Sequence, residues 1–205
     1  MKSFFVGIAG GSGVGKSSIS FALLDNYPDK IGIIHLDDYF VKKEMAPTYK
    51  GFTNWDHPDS IRFDDFIHDL QMLKSGKAII VRTKSEKFNP DYGEIGKISI
   101  EIAPKPIMFI DGWMVLWHPA VCTLLDLSIY LDAPHGLRMQ RRIRAKNRDK
   151  DEKQTNNEDY TREILLPMHY KYVEPTKQYA DHIFDTSNIP LESIIARVEK
   201  LLPVD

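Results

Sequence analysis

Near its amino terminus the chain reads Phe4-Phe5-Val6-Gly7-Ile8-Ala9 and then Gly10-Gly11-Ser12-Gly13-Val14-Gly15-Lys16-Ser17. The apolar run has strand length, the loop matches G-x-x-x-x-G-K-[ST] in full, and Lys16–Asn26 reads as a helix. The glycines let successive backbone N–H groups turn inward around phosphate oxygens, and the helix N-terminus adds positive potential. Lys16 is expected to reach the β- and γ-phosphates of ATP and Ser17 to offer its hydroxyl to Mg²⁺, with Ser18 beside it in the first turn. A glycine-rich turn arising by chance would have no reason to carry a strand before it and a helix after it.

Working outward from this loop, short apolar runs alternate with helix-length segments. Ile31–Leu36, Ala78–Val81, Ile107–Ile110, Leu127–Leu131 and His182–Phe184 read as further strands. Most are almost wholly apolar, as in central strands of a parallel sheet covered on both faces. Ile61–Ser75, Pro134–Asn147, Glu158–Val173 and Leu191–Leu201 read as helices, the first capped by Asp59 or Ser60 and ended by Gly76. The expected fold is a doubly wound α/β P-loop NTPase, one domain over residues 1–205. Two segments break the alternation. Residues 84–102 hold Pro90, Gly93 and Gly96 before an alternating Ile98, Ile100, Ile102, the pattern of an inserted hairpin. Arg144 to Asn157 is highly charged and reads as a mobile surface segment, part of a lid over about 138–157.

Composition narrows the function. With 27 Lys and Arg against 29 Asp and Glu, the net charge of −2 is not the footprint of a nucleic-acid binder. One cysteine, Cys122, excludes an intrachain disulfide framework and reads as a small buried hydrophobe in a reducing, cytoplasmic setting. No apolar stretch approaches the length of a membrane span. No N-K-x-D segment for reading guanine follows a late strand, and Asp29-Lys30-Ile31-Gly32 precedes its strand, where a GTPase switch would not lie. No L-S-G-G-Q-like stretch marks a transport ATPase, which leaves a small-molecule kinase. Exposed hairpins often pair subunits, so a homo-oligomer is compatible with the sequence.

The acceptor side is expected at carboxylates that end strands. In an open parallel sheet ligands bind beyond the carboxyl ends of the strands. Asp37 and Asp38 follow Ile31–Leu36 directly, and an Asp beside the attacking oxygen is the usual base for a hydroxyl acceptor. Asp111 closes Ile107–Ile110 next to the phosphate loop, where it can hold Mg²⁺ or its waters. From Arg138 to Lys150 seven of thirteen residues are basic, and Arg138, Arg141, Arg142 and Arg148 fall roughly on one helical face. Guanidinium groups there can clamp a transferring phosphoryl group, whereas a merely solvated charged face is the plainer alternative.

Taken together, these segments resemble the uridine kinase family. The resemblance rests on Gly10–Ser17, Asp37-Asp38-Tyr39-Phe40, Trp55-Asp56-His57-Pro58-Asp59, Ile110-Asp111-Gly112, the arginine helix and Pro175-Thr176-Lys177-Gln178-Tyr179-Ala180-Asp181, in the family's order. It implies a kinase for the 5′-hydroxyl of uridine or cytidine. Asp37 would be the base and a metal neighbour, and Asp56 would grip the ribose hydroxyls with His57 and Tyr39 lining the pocket. Arg138 and Arg142 would face the substrate, Arg142 with a catalytic part, and Arg141 and Arg148 would clamp the nucleotide under the lid. The family's Tyr-Asp-Phe and His-Ser-Arg-like stretches are missing from the hairpin, where Tyr92 or Phe88 offers a ring instead. Nicotinamide riboside or a small alcohol such as pantothenate therefore stands as an alternative acceptor, and a non-catalytic nucleotide-binding regulator as a different class.

Overall fold

The computed structural model describes residues 3–146 and 158–203. Five parallel strands form the central sheet in the order β2-β7-β1-β8-β9. They are β1 (Phe4–Ala9), β2 (Ile31–His35), β7 (Ile107–Asp111), β8 (Leu127–Asp132) and β9 (His182–Asp185). In register, Val6 lies opposite Phe109 on one side and Leu127 on the other, while Ile8 pairs with Asp111.

The sheet is apolar on both faces because both are covered. Phe5, Ile34, Met108, Ile110 and Tyr130 pack with Phe66, Leu70 and Leu73 of α2 (Phe63–Lys74). Val6, Ile8, Ile33, Phe109, Ile129 and Leu131 pack with Ile19 and Leu23 of α1 (Lys16–Asn26) and with Ile194 and Val198 of α8 (Leu191–Glu199). Each fully buried Ile, Leu or Phe is worth roughly 1.5–3 kcal/mol, so neither face is left to solvent. Among the described residues, no helix is long and apolar enough to cross a membrane.

Outside the sheet, β3 (Thr48–Tyr49) and β4 (Phe52–Thr53) make a small hairpin whose turn residues Lys50 and Gly51 both have positive φ. The segment around residues 78–81 departs from the sequence expectation. Its strand, β5 (Ile79–Thr83), does not join the parallel sheet but pairs antiparallel with β6 (Ile98–Ile102). Ile79, Val81 and Thr83 point inward while Ile80 and Arg82 point out, a period-two pattern proper to a half-covered ribbon. The insertion therefore begins before Lys84. Its connection carries the short helix α3 (Tyr92–Ile95) and is closed by Asn89 Nδ2 donating to Gly96 O at 2.9 Å.

Helix α2 starts at Phe63 rather than Ile61, because Pro58–Ser60 form a separate 3-10 turn capped by His57. Neither Asp59 nor Ser60 caps the helix, but Gly76, at φ 84, does follow its end. After the short α4 (Pro119–Cys122), α5 spans His135–Lys146. The expected mobile segment lies largely outside the described residues. From Glu158 the chain is helical to Tyr179 but irregular: α6 (Glu158–Tyr160), a π turn over Thr161–Leu165, α7 (Leu166–Met168), a second π turn over His169–Val173 and a 3-10 end. Pro167 and Pro175 have no N–H to donate, so a regular hydrogen-bond ladder cannot pass through either.

Candidate active site

The loop between β1 and α1 is shaped by what crosses it. A Cβ at Gly11 would stand 2.0 Å from Arg138 Nη1 and 2.9 Å from His169 Cε1. At Gly13, where φ is 85, a Cβ would meet the backbone oxygen of Arg138 at 2.2 Å. These two glycines let the start of α5 and the 169–173 turn lie directly against the loop. Val14 points the other way, buried in the core with its amide on Gly11 O at 3.3 Å. Ser18 is exposed on α1.

Lys16 Nζ donates to Gly10 O at 3.0 Å and Gly11 O at 3.4 Å. Burial depresses its pKa, against the pull of the Asp111 and Asp37 carboxylates, and Arg138 and Arg142 add to the depression. A cation sunk among cations in this way calls for an anionic partner. Asp111 is 3% exposed, and its Oδ2 has no hydrogen-bond partner. Burial alone would raise its pKa, but His35, Lys16 and a hydrogen bond from Ser17 hold it below the usual carboxylate range. His35 sits opposite it in the β2–β7 register, with Nδ1 at 3.5 Å. Burial lowers the pKa of His35, yet Asp111 by hydrogen bond and charge, with Asp38 and Asp37, carries it above its ordinary value.

The two adjacent aspartates take opposite roles. Both lie on the 3-10 turn Leu36–Tyr39 after β2. Asp37 stays accessible, its side chain 47% exposed, with Lys84 Nζ 3.9 Å away. Asp38 is buried and accepts the Lys84 backbone N–H at 3.0 Å, so it ties the β5–β6 ribbon to the site. Burial raises the pKa of Asp38, opposed by its hydrogen bonds from Lys84 and Thr83.

Tyr39 does not join the site group. It is buried against Phe66, and its hydroxyl donates to Asp69 Oδ2 at 2.6 Å. Its neighbour Phe40 takes the open side, stacked on Trp113 and edge-on to Trp55. Asp56 accepts from the Tyr160 hydroxyl at 2.7 Å, and that hydroxyl accepts from the Trp55 backbone N–H at 3.3 Å. His57 accepts from Asp59 N through Nδ1 at 3.2 Å, so Nε2 carries the proton and donates to the Tyr172 hydroxyl at 2.9 Å.

The lid arginines diverge from the single face read in the sequence. Arg138 is 3% exposed, with Nε on Ala133 O at 3.2 Å and Nη1 buried without a partner over Gly11. It therefore faces the phosphate loop rather than the acceptor pocket. Arg142 Nη1 donates to Ser12 Oγ at 2.9 Å, and the side chain lines a cavity with Glu158 and Thr161, close in the chain to the Tyr160 that holds Asp56. Arg141 turns away and ties α5 to the end of β9 through Thr186 Oγ1 at 2.9 Å and Thr186 O at 2.7 Å. Arg148 lies outside the described residues. Tyr92 opens α3, half-buried in the ribbon connection, and Phe88 packs edge-on against Phe21 of α1.

Several neighbours were not among the site residues expected from the sequence, although Pro167-Met168-His169-Tyr170-Lys171-Tyr172 resembles a stretch of nicotinamide riboside kinases. His169 is buried beside Arg138, with Nε2 3.4 Å from Glu174 Oε2, which also accepts from the Tyr130 hydroxyl. Burial and the Arg138 guanidinium push its pKa down to about 3 against the pull of nearby carboxylates, so the ring is neutral. Tyr160 and Tyr172 come from the irregular helix, and no local pattern marks them as partners of Asp56 and His57. His35 was discoverable as the last residue of its strand, two before Asp37.

The donor set fits a nucleoside triphosphate with a divalent cation. Lys16 under the loop and the partnerless Arg138 Nη1 suit phosphate oxygens, and the ionised Asp111, beside Ser17 and His35, suits Mg²⁺. Among the described residues no three His, Cys, Asp or Glu converge on a point that could hold a metal unaided. Mg²⁺ bound with phosphates needs only one or two protein carboxylates.

Comparison with known proteins agrees with this geometry. Residues 5–190 match the model of the Phosphoribulokinase / Uridine kinase family. A uridine kinase of Streptococcus gordonii is 30% identical over 212 residues, covering 98% of this chain and 96% of that protein. The solved structure of a possible uridine kinase from Bacillus stearothermophilus superposes with a TM-score of 0.61 at 17% identity, covering 90% of each chain. A phosphoribulokinase from Rhodobacter spheroides gives a TM-score of 0.62 at 12% identity, covering 91% of this chain and 73% of that one. The fold is that of the P-loop NTPases, and the chemistry is phosphoryl transfer to an alcohol. The chain is a P-loop kinase belonging to the phosphoribulokinase / uridine kinase family.

Proposed function

We propose that the chain is an ATP-dependent, Mg²⁺-requiring kinase for the 5′-hydroxyl of a ribonucleoside, with uridine or cytidine as the favoured acceptor. The observation that carries the reading is the position of Arg142. It is hydrogen-bonded to Ser12 of the phosphate loop and lines a cavity with Thr161, the residue after the Tyr160 whose hydroxyl holds Asp56, so one guanidinium adjoins the phosphate loop and the segment that anchors Asp56. A carboxylate such as Asp56 can accept from two vicinal hydroxyls at once, which suits a ribose. The sequence relationship to uridine kinases supports a nucleoside over other alcohols.

In this reading the loop amides, Lys16 and Arg138 hold the triphosphate, and Asp56 fixes the sugar. Asp37, accessible at the end of β2, orients the 5′-hydroxyl and takes its proton as the oxygen attacks the γ-phosphorus. The new O–P bond forms as the bond to the β–γ bridging oxygen breaks, and ADP departs. Arg142 stabilises charge on the phosphoryl oxygens during transfer. Mg²⁺, held by Ser17 and Asp111, would neutralise charge on the β- and γ-phosphates.

The test is ADP release with ATP and Mg²⁺ against uridine, cytidine, adenosine, nicotinamide riboside and pantothenate. Turnover concentrated on uridine and cytidine supports the reading, and turnover on pantothenate alone refutes it. Asp37→Asn is expected to keep nucleotide binding, measured by calorimetry, and to abolish transfer. Near-normal turnover in that variant would remove Asp37 as the base.

A further inference from the structure

Three motif segments each bring an aromatic side chain to the acceptor side. Phe40 closes the turn that carries Asp37, Trp55 immediately precedes Asp56, and Trp113 stands just past Asp111. Phe40 and Trp113 are stacked, with centroids 5.4 Å apart at 27°, and Trp55 meets Phe40 edge-on at 5.3 Å. All three rings are only half-buried: Phe40 and Trp113 rest against the core, and each ring keeps part of its surface open. Left to itself, such an aromatic wall attracts cations through its ring faces.

The β5–β6 ribbon changes that preference. It delivers Lys84 with its Nζ 5.4 Å from the Phe40 ring centroid and 3.9 Å from Asp37 Oδ2. The position is built into the fold, because the buried Asp38 carboxylate accepts the Lys84 backbone N–H. Lys97 lies close behind, its ammonium destabilised by burial and by Lys84, Arg62 and Arg82, despite the opposing pull of Asp38. The ribbon thus brings two ammonium groups to this side of the site, Lys84 over the Phe40 ring beside Asp37 and Lys97 on Asp38 O.

We propose that Lys84 is a specificity-determining residue, whose ammonium over the Phe40 wall admits neutral, carbonyl-bearing rings and rejects cationic ones. The proposal rests on the nucleoside reading and deepens it. The Lys84 ammonium already occupies the cation site on Phe40 and can donate to a ring carbonyl. A permanent positive charge on the acceptor's ring would instead lie within several ångströms of it. Two like unit charges at about 7 Å, with an effective dielectric constant near 20, repel strongly enough to lower binding roughly tenfold to fiftyfold. Asp37 and Asp56 also act on a charged ring, but they are the same in the unsubstituted chain and in Lys84→Gln, so their effect cancels when the two proteins are compared.

The experiment compares nicotinamide riboside, a cationic pyridinium, with its reduced dihydro form, neutral and nearly identical in shape, using uridine as reference. kcat/KM is measured for the unsubstituted chain, Lys84→Gln and Lys84→Arg. Lys84→Gln should move the neutral-to-cation ratio at least tenfold toward the cation, and Lys84→Arg should hold it at the value of the unsubstituted chain. A ratio unmoved in Lys84→Gln, or moved as far by Lys84→Arg, overturns the proposal. If Lys84→Gln turns over too slowly, the dissociation constants of the same pair by calorimetry give the same ratio. Failure of the unsubstituted chain to phosphorylate or bind any riboside is a separate result, which overturns the nucleoside reading and this proposal with it.

Discussion

Replacing Arg138 with methionine should have opposite effects on the unliganded fold and on nucleotide binding. The side chain is 3% exposed and makes one described hydrogen bond, from Nε to Ala133 O, while Nη1 lies buried without a partner over Gly11. Burial lowers the pKa of its guanidinium, the mark of a charge that its protein surroundings solvate poorly. Methionine fills most of the same volume and removes both features. Losing the Nε bond costs about 1 kcal/mol, whereas removing an unsatisfied buried donor returns about 1–3 kcal/mol. The net effect should lie between zero and about 2 kcal/mol of stabilisation. In a chain of this size that means a melting temperature unchanged or raised by up to about 8 °C.

Nucleotide binding should move the other way. A hydrogen bond from a guanidinium to phosphate is worth about 1.5–3 kcal/mol, or roughly tenfold to 150-fold in affinity. The assay is differential scanning fluorimetry of the unliganded variant, with calorimetry of a non-hydrolysable ATP analogue. A fall in melting temperature of more than about 4 °C together with unchanged analogue affinity would refute the reasoning. Arg138 would then be a packing strut that happens to cross the loop.

Two further predictions concern the neighbours missed in the sequence. His169 has a pKa of about 3 in the folded chain, so below about pH 6.5 the unfolded state binds the extra proton and stability falls as pH falls. This component amounts to about 2 kcal/mol by pH 5, so His169→Gln should shrink the drop in melting temperature between pH 7.5 and 5 by about 4–8 °C. An equal drop in both proteins would contradict a buried, neutral His169. Tyr160→Phe removes the hydroxyl that bridges Trp55 N and Asp56 Oδ2. It should raise KM for the nucleoside about tenfold while leaving KM for ATP within about twofold, as expected for one lost charged hydrogen bond on the acceptor side. A rise in KM for ATP instead would move Asp56 away from the sugar.

What was legible in the sequence was what depends on neighbours along the chain. The phosphate loop is contiguous, works through its backbone and needs only its flanking strand and helix to be recognised. Asp111 and Asp37 were legible because a carboxylate ending a buried strand lies at the sheet's carboxyl edge in any doubly wound fold. The choice between neighbouring residues was not. Asp37 and Asp38 differ by one step on a 3-10 turn, and only the docking of β5 decides which one is buried. Tyr39 and Phe40 are separated in the same way, since α2 supplies Asp69 for the tyrosine hydroxyl. On α5, Arg138 and Arg142 are four residues apart and share a face, while Arg141 is rotated about 100° away to Thr186. The roll of that helix is set by the loop glycines and by the 169–173 turn, neither of which a helical wheel contains.

The same dependence explains why the acceptor side was the hardest part to read. In the proposed reading, donor recognition rests on backbone amides, Lys16 and Arg138, and a motif can encode all but the last. Acceptor recognition is assembled from the turn after β2, the segment before α2, the β5–β6 ribbon and the irregular helix that supplies Tyr160 and Tyr172. Each contributes one or two side chains whose direction is fixed by a partner from another element: Asp38 for Lys84, Trp113 for Phe40, Tyr160 for Asp56. A change in the ribbon can therefore alter what the pocket accepts without touching the phosphate loop, Asp37 or Asp111. On the proposed reading substrate choice and phosphoryl transfer are physically separable, and Lys84 lies on the boundary between them, 3.9 Å from the proposed base and over the Phe40 ring.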